Sequence, residues 1–252
     1  MDSKEIKKWY YILPIVSIGI FIVLWLFLSS AENTMIPTPT ATWDKFVDIL
    51  VNPISQAILP VHIWVSLKRV LIAFFFAIIL GVGLGVGLGW SKTFNALVGP
   101  VFEMLRPIPP IAWIPLIILW FGIGETPKII IVFIGSFVPI VLNTFSGIKE
   151  IDPLLISAGK VLGANRKQIL FEITILAGIR TALSSGWMCV VAAEMIVARQ
   201  GVGFLIVRGQ ESGDTALIVV CMLVIGIVSM LLSTILSKLE GVLCPWQFSK
   251  TK

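Results

Sequence analysis

The chain has 252 residues, 57% of them apolar and only 13% charged, with a formal net charge of +5. Soluble domains run at about 45–50% apolar and about 25% charged, so too little polar surface remains to coat a water-soluble globule. A soluble enzyme, a disordered protein and a disulfide scaffold are thereby excluded. The basic residues are dispersed between apolar runs, without the dense patch that nucleic-acid binding needs. One histidine, His62, rules out a paired-histidine zinc motif. Cys189, Cys221 and Cys244 lie far apart and read as packing residues.

A bilayer-spanning helix needs about 20 mostly apolar residues, and the apolar runs predict an all-α polytopic membrane protein with six transmembrane helices in a single domain, 1–252. The first span, about 9–31, follows Lys4, Lys7 and Lys8. Its Ser29-Ser30-Ala31 end would pass as a signal cleavage site. The run from Ile12 to Leu28 is longer than a signal core, however, so an uncleaved anchor is expected. Within the following segment, 32–62, the stretch Trp43–Leu50 is amphipathic and is expected to lie along the membrane surface.

The second span, about 64–91, carries Gly81, Gly83, Gly85, Gly87 and Gly89. On a helix, Gly81, Gly85 and Gly89 form one stripe, and Gly83 and Gly87 another. Such stripes let a neighbouring helix approach closely. The G-x-G-x-x-G spacing of a dinucleotide loop is not met. The third span, about 107–124, opens with Pro107, Pro109, Pro110, Trp113 and Pro115. Four prolines this close cannot sit in a regular helix. A broken helix at membrane depth either borders a transport path or gate or serves packing alone, and the residue types leave both open.

The fourth span covers about 127–148 and is followed by the segment 149–172. There, Asp152 can cap a helix starting at Pro153, which Gly163 would end. Asn165 with Gln168 resembles the capping box of a second helix. Small residues Ser157, Ala158, Gly159 and Ala164 and the cations Lys160, Arg166 and Lys167 surround this glycine corner. The shape suits insertion into a groove of another protein, with an ordinary solvated loop as the alternative. The fifth span, about 176–198, contains Glu194, the only acid inside an apolar run. It reads either as a pathway carboxylate or as an acid paired locally with Arg199. The sixth span covers about 215–238.

Thirteen of the nineteen Lys and Arg residues fall on the side of the N-terminus; Lys45, Lys68, Arg69, Lys128, Arg199 and Arg208 fall on the other. This bias predicts cytoplasmic N- and C-termini. The chain lacks a G-x-x-x-x-G-K-[ST] loop, so ATP energy would have to come from a partner.

Residues Ser157-Ala158-Gly159, Gly163 and Ile173-Thr174-Ile175-Leu176 resemble the signature loop of permease subunits in binding-protein-dependent ABC importers, E-A-A, three residues, G, nine residues, I-x-L-P. The run from Arg106 to Leu116, continued by Leu119–Glu125, is similar to the aliphatic sulfonate, taurine and nitrate branch of that family. Ser66–Val70, Ala193–Ile196 and Gly201–Leu205 fit the same branch, and the resemblance covers roughly residues 35–245.

The resemblance implies the type I ABC importer permease fold in the plasma (inner) membrane, and a permease dimer, most simply of two identical copies. It implies two cytoplasmic ATPase subunits that bind ATP and Mg, an extracytoplasmic solute-binding protein, and no cofactor, metal or catalytic residue on this chain. It further implies that Ser157, Ala158, Gly159, Lys160, Gly163, Ala164, Asn165, Arg166 and Lys167 form a coupling helix seated in the ATPase. The solute would be small and anionic, with bicarbonate or a vitamin precursor as further possibilities. Two positions depart from the pattern: Ser157 replaces the usual acid, and Leu176 and Arg180 stand where prolines are usual. A secondary transporter would call for inverted repeats and several buried ionisable groups. A membrane enzyme would call for convergent nucleophiles, acids or metal ligands. The sequence displays neither set.

Overall fold

Unbroken apolar runs become helices. The computed structural model describes residues 3–30, 35–149 and 176–243, and every named element among them is helical. Residues 150–172, carrying Ser157, Ala158, Gly159, Lys160, Gly163, Ala164, Asn165, Arg166 and Lys167, lie outside the described residues, as does Cys244.

Helix α1 (Ser3–Ser29) exposes apolar side chains on all sides, Leu13, Ile18, Phe21, Val23 and Phe27 among them. That is the surface of a helix meant for lipid. Its end is tied down where Trp25 Nε1 donates to Pro37 O at 2.9 Å. Helix α2 (Pro39–Val51) begins with the Thr38 hydroxyl accepting from Ala41 N–H and with proline at its first position. It contains the stretch expected to be amphipathic, buries Thr42 and Ile49, and leaves Trp43 and Val47 exposed.

Lys45 of α2 pairs with Asp214 at 2.8 Å, just ahead of the last helix. The hydrogen bond to Asp214 raises the Lys45 ammonium above its ordinary 10.5, against the opposing effect of burial. Burial alone would push the Asp214 carboxyl up, but the Lys45 bond and the Leu217 N–H outweigh it and hold it below 3.8. The aspartate's contribution to stability is thus complete above that value and lost as pH falls through the depressed pKa. The lysine's contribution is complete below 10.5 and lost as pH climbs through the raised pKa. Lys45→Ala is expected to cost about 0.2–1 kcal/mol at neutral pH. The difference from wild type should vanish in acid, as followed by the fluorescence of the neighbouring Trp43.

Helices α3 (Leu59–Trp90) and α6 (Glu125–Lys149) form the spine. On α3, the buried residues Val70, Ala73, Phe74, Ala77, Gly81, Gly85 and Leu88 recur every three or four positions, so one stripe faces inward. The opposite face presents Phe75, Phe76, Ile79 and Leu80 outward. A Cβ added at Gly81 would lie 2.8 Å from Ile140 Cγ2, at Gly85 2.6 Å from Thr144 Cβ, and at Gly89 2.9 Å from Ile148 Cβ. Partner numbers rise with the glycine numbers, so α3 and α6 run parallel. Gly87 instead admits the Phe94 ring, 2.8 Å from where its Cβ would be, while a Cβ at Gly83 meets nothing within 4 Å in this chain. Gly83 therefore does not share the packing role expected of it here.

Parallel neighbours oblige the connecting chain to return along the whole bundle. It does so through α4 (Lys92–Leu105), a 3-10 turn (Pro110–Trp113) and α5 (Ile114–Phe121), with an 86° bend between α4 and the segment that follows. The window 107–124 is accordingly not one helix. The prolines remove backbone donors, α4 stops at Leu105, and helix resumes only at Ile114. Much of this return lies in α4, which falls between the second and third predicted spans, with Lys92 as its first residue and Glu103 in its last turn.

Helix α7 (Leu176–Val197) runs against α6, with a Cβ at Gly186 reaching Ser136 and Val132 and one at Gly135 reaching Cys189. Buried Trp187 donates its Nε1–H to Ile225 O of α9 (Thr215–Leu243) at 3.2 Å. Val70, Ala73, Phe74, Ala77, Val132, Ile140, Leu183, Trp187 and Val190 make the main core. Helix α8 (Val202–Ser212) closes a second core through Val202 and Leu205, packed with Ile49, Leu59, Leu217 and Cys221. Cys189 and Cys221 are both packing residues. Helices α3, α6 and Thr215–Lys238 of α9 are long and apolar enough to cross a bilayer, and the bent α4–α5 pair has the length and composition of a fourth span broken in the middle or of a re-entrant loop. Shorter apolar stretches, Val16–Ser29 and Ser185–Ile196, lie in α1 and α7.

Candidate functional site

The helix directions gather α3, α6, α8 and α9 at their starts and α7 at its finish. At this end the bundle buries Arg69, Lys128, Glu194, Ser66 and His62. The opposite end holds the close of α3 at Trp90 and of α6 at Lys149, and α7 starts there at Leu176.

Arg69 is the centre of the cluster. Its Nε and Nη2 grip both oxygens of Glu125 at 2.6 and 2.8 Å. Nη1 reaches Glu194 Oε1 at 2.6 Å and Gln200 O at 2.8 Å. One planar guanidinium thereby joins α3, the first residue of α6, the end of α7 and the α7–α8 loop. The bidentate fork is the strong form of the Arg–carboxylate contact. Lys128, one helical turn into α6, adds a second cation to Glu125 Oε1 at 2.7 Å.

Glu194 has both oxygens engaged, since Oε2 accepts from Ser66 Oγ at 2.8 Å and from Gly203 N–H at 3.1 Å. Its charge partner is Arg69, on a different helix, and not the sequence neighbour Arg199, which is exposed. The buried carboxylate is thus held by hydrogen bonds at both oxygens, with Arg69 as its counter-ion. Gly201 is required beside it. With φ +131°, a side chain there would be strained, and its Cβ would run into the Glu194 carboxylate.

Three successive donors at the start of α8 find acceptors on other helices. Gly201 N–H donates to His62 Nδ1 at 3.0 Å, Val202 N–H to Ser66 Oγ at 3.0 Å, and Gly203 N–H to Glu194. A helix start leaves such donors unpaired, and here α3 and α7 supply what a local cap residue would. Because His62 Nδ1 accepts, its proton sits on Nε2, which donates to Ile54 O at 3.2 Å. That carbonyl belongs to a two-residue turn in which Ser55 and Gln56 have φ of 50° and 73° and Ile54 pairs with Ala57. This is the backbone of a type I′ turn without the glycine or asparagine that usually occupies it.

The turn and the ion cluster flank a cleft of about 940 Å³ lined by Arg69, Lys128, Arg199 and Arg208, with Glu125 and Gln200. The prolines lie elsewhere. Pro110 lines a separate cleft of about 320 Å³ with Gly135, Pro139 and Cys189. Pro107, Pro109 and Pro115 are exposed on this chain, and Trp113 packs beside Ile114 and Ile131. The structure thus does not bring Glu194 and the prolines into one site. Sequence reasoning missed His62, Ser66, Arg69 and Glu125 as partners. The signal was available, because a lone intramembrane acid requires a counter-ion, and His62, Ser66 and Arg69 share one helical face. Among the described residues no group of His, Cys, Asp and Glu side chains suits a metal ion.

Residues 77–246 match the family described as the binding-protein-dependent transport system inner membrane component. A protein of Methanocaldococcus jannaschii named as an ABC transporter permease is 34% identical, over 97% of this chain and 96% of its own. The taurine transport system permease protein of Escherichia coli is 32% identical over 93% and 89%, and the nitrate import permease protein of Synechocystis 30% over 92% and 89%. The solved methionine ABC transporter MetNI, in inward-facing conformations, superposes with a TM-score of 0.61 at 20% identity, covering 73% of this chain and 95% of that one. At that identity the likeness establishes the fold alone. The relatives are transport components rather than enzymes, and their family implies an ATPase and a solute-binding protein as partners. With its apolar crossing helices and its family match over most of its length, this chain belongs to the binding-protein-dependent ABC importer permeases and is the membrane-spanning subunit of such an importer.

Proposed function

We propose that this permease carries a small anionic solute of the sulfonate, taurine, nitrate or bicarbonate class, received from a solute-binding protein. Two identical copies form the path, with both termini in the cytoplasm. The observation that carries the solute class is the cleft beside Arg69, whose lining holds four cations and one carboxylate. It lies at the end that the Lys and Arg bias assigns to the outside. Relatives named for taurine, nitrate, aliphatic sulfonates and bicarbonate support the same class.

At the opposite end the chain leaves α6 at Lys149 and returns at Leu176. We assign ATPase coupling to the intervening segment around Gly163, with Ser157, Ala158, Gly159, Lys160, Ala164, Asn165, Arg166 and Lys167. Closure of two ATPase subunits on ATP and Mg would move this segment, and with it α6 and α7, so that the path alternates between its two openings. Gly163→Asp tests the assignment, since it places a charged side chain at the corner the ATPase must seat. The assembled importer should keep hydrolysing ATP while solute uptake falls at least about tenfold, equivalent to about 1.4 kcal/mol in the barrier to transport. Normal ATP-driven uptake in that variant would overturn the assignment.

A further inference from the structure

Arg69 and Lys128 are both buried, with side chains 5% exposed, yet the carboxylate they share, Glu125, is 60% exposed. Glu125 is the first residue of α6 and faces the large cleft. The segment leading into it is Gly122-Ile123-Gly124: Gly122 has φ +72°, and a Cβ at Gly122 or Gly124 would meet nothing within 4 Å. Because Glu125 is itself more than half exposed on the cleft wall, rotation about its own side-chain bonds can carry the carboxylate into the cleft, at the cost of its contacts with Arg69 and Lys128. Glu194, by contrast, is sealed in and cannot leave.

We infer that Glu125 is a resident stand-in for the solute: Arg69 and Lys128 form a buried seat for a singly charged oxyanion, which replaces the Glu125 carboxylate when that side chain swings into the cleft. This deepens the anionic-solute reading proposed above and rests on it. With Glu125 withdrawn, Arg69 keeps Glu194 as its counter-ion and Lys128 keeps none, so the seat carries one net positive charge. A buried cation without a partner is costly, which favours taking up one anion. The guanidinium edge formed by Nε and Nη2, now holding two carboxylate oxygens, has the fork geometry that matches two oxygens of a sulfonate, nitrate or bicarbonate. Arg199 and Arg208 line the same cleft and give an approaching anion an attractive entrance. The seat is therefore occupied in two alternative ways, by the chain's own carboxylate or by cargo, and the first competes with the second.

The test uses the full permease assembled with its ATPase subunits in lipid nanodiscs, titrated with sodium methanesulfonate and followed by thermal shift. Removing an internal competitor raises apparent affinity by the reciprocal of the fraction of time the seat is free. Glu125→Gln is accordingly expected to lower the half-saturating methanesulfonate concentration about tenfold or more relative to wild type. Adding Lys128→Met to it should abolish the gain. Equal half-saturation in wild type and Glu125→Gln, or a gain that survives Lys128→Met, would overturn the inference. If Glu125→Gln is too unstable to assemble, Glu125→Ala is made in the presence of methanesulfonate. Recovery of assembly supports the seat, and no recovery contradicts it. Uptake by wild type separates the two readings. Transport restricted to neutral or cationic solutes, together with a gain in Glu125→Gln, would remove the solute class and leave the seat. Transport of anions with no gain would do the reverse.

Discussion

Arg69→Met is expected to cost about 3–5 kcal/mol of stability, the usual price of leaving one partner of a buried ion pair alone. The methionine would strand Glu194, whose side chain has no exposure, with only Ser66 Oγ and Gly203 N–H for company. It would also strip Gln200 O of its donor and cut α6 loose from α3 at Glu125. In a detergent melt this corresponds to a fall on the order of 10 °C for a chain of this size. Combining it with Glu194→Gln removes the orphaned charge, so the double variant should be more stable than Arg69→Met alone. Arg208→Met is the control: its pair with Glu211 is exposed and one helical turn away, and losses there stay under about 1 kcal/mol. A drop for Arg69→Met no larger than that of Arg208→Met would contradict the assignment of the cluster as the clasp of four elements.

Gly85→Leu is expected to cost about 3 kcal/mol or more, at the upper end of overpacking effects. Its Cβ would sit 2.6 Å from Thr144 Cβ and 2.8 Å from Val141 O. The second of these is backbone, so no rotamer change relieves it, and α3 has to lift off α6. Gly83→Leu, two residues earlier, places its side chain in space this chain leaves open and should change stability by no more than about 0.5 kcal/mol. Thermal unfolding of the two variants side by side measures the contrast, and equal losses would contradict parallel packing through the glycine stripe.

Local pattern made part of this architecture legible. The glycines of one stripe, the proline-driven break after Leu105, and the helical character of the chain all follow from properties a residue carries with it. What stayed hidden depends on who meets whom. Gly83 and Gly87 look equivalent to Gly85 in sequence, and only the path of α6 and the position of Phe94 separate them. For Glu194 the sequence offers a pathway role or a local pair with Arg199, five residues on, because it lists only near neighbours as partners. Helix α7, running back beside α3, brings its last turn to Arg69 near the start of α3 instead, from another part of the chain. Helix α4 escapes a search for apolar windows because Lys92 and Glu103 bound its apolar residues, and because a pair of helices bent by 86° has no single apolar window. The family resemblance covered most of the chain, yet the ion cluster emerges only when four elements are assembled.

Solute uptake into proteoliposomes holding this permease with its ATPase subunits, supplied with its solute-binding protein, tests the importer assignment most directly. Labelled taurine, nitrate, a sulfonate or bicarbonate is expected to accumulate only with both ATP and the binding protein present, and to stop accumulating when either is withheld. Accumulation driven by an ion gradient without the ATPase, or ATP-driven uptake confined to neutral or cationic solutes, would contradict this expectation.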